Sequence, residues 1–139
     1  MSLDRLERQV ALHEGLRLKP YTDSTGHQTI GYGLNLDEGI TQKEAEYLLR
    51  SRLLEAIQDL QTFPFWTWLN EARAYVVIDM RYNLGHKTFR DFKSLIDALN
   101  AQQYHRAAAE MKDSRWYRQV KSRGDRLIQM MITGKHYDD

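Results

Sequence analysis

Five of the eight glycines in this 139-residue chain (Gly15, Gly26, Gly31, Gly33 and Gly39) lie between residues 15 and 39. That clustering confines any sheet to one short stretch and leaves the rest of the chain to helix. Within the stretch, T-D-S-T-G-H at 22–27 reads as a turn between two short strands, roughly 17–21 and 28–33. Before it, Leu3, Leu6 and Val10, extended by Leu12 and Leu16, form a helical apolar face that Gly15 interrupts, so a first helix over 3–13 ends near Glu14. After Gly39, Thr41 and Glu44 spell a capping box. Ala45, Leu48, Leu49, Ala56, Ile57 and Leu60 follow at helical spacing, predicting a helix of about 20 residues and about 30 Å. Asn70 is placed to cap the apolar helix A-R-A-Y-V-V-I-D-M-R-Y-N-L, which Gly85 closes. Shorter helices are expected at 91–99, 103–112 and 115–119, and a last one begins at Ser122, capped by its hydroxyl, and stops at Gly134. The fold class expected is α+β and mainly helical, in a single domain of residues 1–139. A small β-hairpin lobe (about 14–40) is joined by a long helix (about 41–62) to a larger helical lobe (about 63–139 with the N-terminal helix 3–13). A cleft between such lobes is a natural binding site.

Composition narrows the function classes. Apolar residues make up 42% of the chain and charged residues 28%, enough for a core and against disorder. A net charge of +1 lies far below a nucleic-acid-binding footprint, and no Lys/Arg stripe emerges on one helix face, so no nucleic-acid partner is expected. Without cysteine there is no disulfide, thiolate catalysis or Cys-based zinc site. The five histidines (His13, His27, His86, His105 and His136) show no ligand spacing, so no metal is expected. The charged start M-S-L-D-R-L-E-R-Q does not read as a signal peptide, and no apolar run approaches the ~20 residues of a membrane span. The expectation is a chain made in the cytoplasm without membrane insertion.

Glu14 and Asp23 stand nine positions apart, one at a helix end and one in a hairpin turn. Cleaving a glycosidic bond needs one protonated carboxyl for the leaving oxygen and one ionised carboxylate for water or for positive charge on the sugar. These two settings differ enough to push the two pKa values apart. Thr29, on the returning strand, offers a hydroxyl to hold a water. Acids at helix ends and turns are also common on any surface, and spacing alone leaves both readings standing.

The string E-G-L-R-L-K-P-Y-T-D-S-T-G-H-Q-T-I-G-Y-G resembles the signature of phage-type lysozymes, the T-even phage endolysin family or glycoside hydrolase family 24. It matches at Glu14, Gly15, Arg17, Leu18, Tyr21, Asp23, Gly26, Thr29, Ile30, Gly31 and Gly33. Further matches follow in order: N-L-G at 83–85, S-R-W-Y at 114–117, S-R-G-D-R at 122–126 and T-G at 133–134. The resemblance implies a lysozyme-like fold and a muramidase that hydrolyses the β-1,4 bond between N-acetylmuramic acid and N-acetylglucosamine, with inversion. Its partner would be the glycan strands of peptidoglycan, on which it would act as a monomer without cofactor. Glu14 matches the general acid, Asp23 the second carboxylate and Thr29 the water-holding hydroxyl. Gly33, Leu36, Tyr82 and Asn83 fall at substrate-binding positions, and Tyr21, Arg123 and Arg126 at supporting ones.

Each of these has a plainer reading as well. Tyr82 also fits helix packing, Arg123 fits a solvated charge in a basic run, and the glycines of T-I-G-Y-G fit tight hairpin packing as well as close approach of a sugar. Trp116 and Tyr117 are expected in the core. Arg123 is expected to pair with the acid, which favours ionisation, whereas burial at a helix C-terminus opposes it. His13 and Leu34 depart from the pattern; a histidine at 13 weakens an expected pairing with Arg126. Inversion predicts carboxyl groups about 6.5–9.5 Å apart, with room for water. A lytic transglycosylase would dispense with Asp23 and Thr29, and a non-catalytic wall-binding module would tolerate losing Glu14 or Asp23. Host lysis by such an enzyme requires release to the periplasm through a holin lesion, or delivery on a virion.

Overall fold

The structure, a computed structural model, describes all 139 residues. By its internal contacts the chain divides into Met1–Tyr47 and Leu48–Asp139, and the division falls inside one long helix. The architecture is α+β and mainly helical, with eight helices and one small antiparallel sheet.

In the first unit, helix α1 (Leu3–Glu14) starts at Ser2, whose hydroxyl accepts the Arg5 amide, and ends where Gly15 turns to φ 74°. Strand β1 (Arg17–Thr22) pairs antiparallel with β2 (Gln28–Gly31), and the register slips between Arg17 and Tyr21. Pro20, which has no amide hydrogen to give the ladder, lies in that slip. A third strand, β3 (Leu34–Asn35), pairs Thr29 with Asn35 and Ile30 with Leu34. Sequence reasoning expected two strands with the second running to 33; Gly31 and Gly33, at φ 68° and 75°, instead turn the chain between β2 and β3. A two-residue strand is too short to show alternation. A 3-10 turn, Leu36–Glu38, is capped by Asn35 and closed by Gly39.

Helix α2 (Gln42–Leu60) carries the expected capping box: Glu44 N–H donates to Thr41 Oγ1 at 3.1 Å, and Thr41 N–H donates to Glu44 Oε1 at 2.9 Å. In the second unit, α3 (Glu71–Leu84) is capped by Asn70, which accepts the Arg73 amide, and stopped by Gly85 at φ 87°. Around it lie α4 (His86–Arg90), α5 (Lys93–Asn100), α6 (Tyr104–Lys112), α7 (Arg115–Val120) and α8 (Ser122–Thr133). Phe65, Val76, Val77, Met80, Phe89, Leu95, Leu99, Met111 and Met131 are fully buried, each contributing about 1.5–3 kcal/mol. Trp116 is buried as expected, and Tyr117 packs against the same core.

One expected cap is absent. Ser122 is the first residue of α8 and makes no capping bond; Lys121 holds the N-cap position at φ 47°, with no side-chain hydrogen bond. The start of α3 instead caps the end of α8. Arg73 donates to the Met131 and Ile132 carbonyls at 2.8 and 3.0 Å, and Asn70 donates its amide to the Gly134 carbonyl at 2.8 Å.

Asp59, near the end of α2, ties three elements together. It accepts from Arg81 Nε of α3 at 2.7 Å and from Arg90 Nη1 of α4 at 2.9 Å, and Arg90 also lies 4.9 Å from the Phe63 ring centre. The Arg90 bonds, followed by those of Arg81, hold the Asp59 carboxyl far below the ordinary carboxylate range against the opposing effect of burial. Asp59→Asn, which leaves two arginines facing each other, is therefore expected to destabilise the second unit by about 2 kcal/mol. A depressed folded pKa stabilises above the unfolded value of about 4 and fades as pH falls below it. Thermal melts of the wild type and the variant should differ most above pH 5 and draw together progressively as pH falls below 4.

Candidate active site

Glu14 and Asp23 both belong to the first unit. Glu14 is the last residue of α1, and Gly15 redirects the chain directly behind it into β1. The Glu14 carboxyl lies over the backbone of Gly33: a β-carbon built on Gly33 would stand 2.8 Å from Glu14 Cδ and closer still to Oε2. Gly33 also has φ 75°, in the left-handed region. Sequence reasoning offered sugar approach or hairpin packing for this glycine. The side chain it accommodates is that of Glu14.

Asp23 is held by its own turn. Its Oδ1 accepts from the Thr25 amide at 2.9 Å, the Thr25 hydroxyl at 2.9 Å and the His27 amide at 2.8 Å, while the Asp23 amide donates to the His27 carbonyl. The His27 amide first, then the Thr25 donors, hold the carboxyl below the ordinary carboxylate range, so Asp23 is ionised at neutral pH. All three donors converge on one oxygen. Thr29, opposite Tyr21 on β2, is only 3% exposed, and its hydroxyl donates to the His27 carbonyl at 3.0 Å. With its proton committed, that hydroxyl meets any further group as an acceptor. Tyr21 lies under the Arg17 guanidinium at 4.7 Å, and Leu36 opens the 3-10 turn.

The second unit holds the remaining residues singled out in the sequence. Tyr82 is 42% exposed and lines an open groove of about 500 Å³ with Leu49, Leu53, Ile57 and Arg123. Asn83 is anchored from the core, its Oδ1 accepting the Trp116 indole N–H at 3.0 Å. The guanidinium of Arg123 is engaged by Asp79 of α3, with Nε 2.9 Å from Oδ1. Sequence reasoning missed Asp79; the signal was a lone acid inside the apolar run of α3. Arg126 lies 4.8 Å from the Tyr137 ring centre. The tail around it is docked, with His136 against Tyr75 and 3.3 Å from Glu71. No group of three or more His, Asp or Glu side chains is arranged to hold a metal ion.

The downstream matches have mainly architectural reasons. Ser114 caps α7 and donates to the Met111 carbonyl, Gly124 clears the Tyr117 ring, and Gly134 ends α8 at φ 68°. The model of the phage lysozyme family matches residues 11–131, a span that takes in the hairpin as well as Ser114 and Gly124. The chain belongs to the phage lysozyme family. With it, the chain joins the lysozyme-type glycoside hydrolases. It is 33% identical to an endolysin of Acyrthosiphon pisum secondary endosymbiont phage 1, over 70% of this chain and 68% of that protein. It is 27% identical to probable T4-type lysozyme 1 of Dictyostelium discoideum, over 87% of this chain and 89% of the other. It is also 28% identical to the pre-baseplate central spike protein Gp5 of Enterobacteria phage T4, over 87% of this chain but 26% of that protein, so it spans about a quarter of the spike protein's length.

Gly33→Ala tests the link between turn and acid. The left-handed backbone costs a residue with a β-carbon about 1–2 kcal/mol, and the methyl group has to displace the Glu14 carboxyl. The expected result is a lowered melting temperature together with a lytic rate, measured per folded molecule, that falls by about ten-fold.

Proposed function

We propose that the chain is a phage or prophage endolysin: a muramidase that hydrolyses the β-1,4 bond between N-acetylmuramic acid and N-acetylglucosamine in peptidoglycan, leading to host lysis. The observation that carries this reading is the pairing, inside one small unit, of an acid seated on Gly33 with an ionised carboxylate pinned through a single oxygen. Glu14 donates a proton to the glycosidic oxygen as the bond to the anomeric carbon breaks. Asp23 takes a proton from a water on the opposite face of the sugar. Thr29, able only to accept, receives a hydrogen bond from that water's other hydrogen, which stays on the oxygen, and so aims the water's lone pair at carbon. Such a route inverts the anomeric centre and requires no cofactor.

Tyr82 and Asn83 would supply an aromatic face and an amide to the saccharide, with Gly33 and Leu36 on the hairpin side. Arg123, Arg126 and Tyr21 are supporting residues in this reading, and the enzyme acts as a monomer without nucleic acid. No helix is long and apolar enough to cross a membrane; in this reading the enzyme reaches the wall through a holin lesion. Likeness to part of a spike protein favours a second setting, a lysozyme carried on the virion; co-purification with intact particles rather than with the lysate would support it.

Glu14→Gln is expected to reduce clearing of a peptidoglycan suspension by about 100-fold or more, with the melting temperature kept within a few degrees. A variant that clears the suspension at the wild-type rate would sink the assignment. Products with new reducing ends, formed first as the α-anomer in NMR spectra, are expected; 1,6-anhydro ends would mark a transglycosylase.

A further inference from the structure

The turn around Asp23 joins the carboxylate to a second side chain through a hydroxyl. Thr25 Oγ1 lies 2.9 Å from Asp23 Oδ1 and 2.7 Å from His27 Nδ1. Nδ1 of His27 is itself 3.8 Å from the same carboxylate oxygen, and Asp23 is the charged group within 4 Å of this ring. A threonine hydroxyl has one proton to give. Because that proton goes to the carboxylate, the hydroxyl accepts from the ring, and Nδ1 of His27 carries the hydrogen. The neutral imidazole is thereby set as the Nδ1–H tautomer, and a second proton at Nε2 adds positive charge without breaking the chain of bonds.

From the chain His27–Thr25–Asp23 we infer that His27 is a positioning residue for the catalytic carboxylate, acting through the Thr25 hydroxyl to hold Oδ1 and so dedicate Oδ2 to the attacking water. The inference rests on the muramidase reading above. Rotation about the bond to a carboxylate is soft and two-fold, so the two oxygens exchange unless something distinguishes them. The two backbone amides on Oδ1 begin that distinction, and the hydroxyl completes it only while its proton points at the carboxylate. An N–H donated to the far side of the hydroxyl fixes that direction and polarises the O–H toward the anion. Loss of the ring frees the hydroxyl to rotate, and Oδ1 is then held by the backbone alone.

Three variants separate this role from a purely structural one. His27→Phe removes the N–H, His27→Asn puts an amide N–H near the Nδ1 position, and Thr25→Val removes the hydroxyl and keeps the shape. Release of reducing ends from purified glycan strands gives kcat and KM, and the carbon signal of the Asp23 carboxyl in NMR spectra reports its titration. His27→Phe and Thr25→Val are each expected to lower kcat about ten-fold, a fraction of a general base's usual contribution, with KM unchanged and the Asp23 titration moved to higher pH. His27→Asn should restore most of kcat. The double variant should be no worse than Thr25→Val alone, because the ring acts through the hydroxyl. A His27→Phe variant with wild-type kcat and wild-type Asp23 titration overturns the positioning role, as does a double variant whose losses multiply. If the wild type releases no sugar ends while the Asp23 titration still moves in His27→Phe, the muramidase reading fails and the wiring of the turn stands.

Discussion

Oδ1 of Asp23 accepts the Thr25 amide, the Thr25 hydroxyl and the His27 amide, so the turn joining β1 to β2 closes around an anion. The position of β2 follows from that closure, because the Asp23 amide and the Thr29 hydroxyl meet at the same His27 carbonyl. Strand β3 pairs with β2 in turn, and the chain between them brings Gly33 under the Glu14 carboxyl. One carboxylate oxygen therefore organises the hairpin, while the same residue's other oxygen takes no part in these bonds. In the muramidase reading proposed above, structural and chemical demands on Asp23 are divided between its two oxygens rather than in competition.

The second unit is arranged around α3, whose buried residues Ala72, Val76, Val77, Ile78 and Met80 occupy more than one face of the helix. Four of its polar side chains are matched by groups on other elements. Arg73 closes α8, Asp79 takes Arg123, Arg81 joins Asp59, and Asn83 orients the Trp116 indole. These bonds fix the rotation of α3 among its neighbours, where apolar packing alone tolerates adjustment.

What could be read from the sequence was local. The Thr41–Glu44 capping box, the Asn70 cap, the stop at Gly85 and the hairpin turn all involve residues within a few positions, where residue type constrains backbone directly. The motif of Glu14, Asp23 and Thr29 was also visible, because an acid, a turn acid and a strand hydroxyl occur in one short run. Partners across the fold were not: Asp59 meets Arg90 thirty-one positions later, and Asp79 meets Arg123 after forty-four. Strand β3 was hidden by its length, and the left-handed Lys121 by a residue type that rarely adopts that conformation. The His27–Thr25–Asp23 chain lay in plain view but shares its composition with any polar turn.

The caps that Asn70 and Arg73 place on the Met131, Ile132 and Gly134 carbonyls join the beginning of the second unit's central helix to the end of α8, 58 to 64 positions later. During synthesis this unit cannot complete itself progressively. Until residues 131–134 leave the ribosome, Met131 is missing from the core and the Arg73 guanidinium has no carbonyls to close upon. The hairpin, whose strand pairings lie between Arg17 and Asn35, is under no such delay. The hairpin can thus close well before the helical part, which becomes whole only once residues 131–134 have emerged.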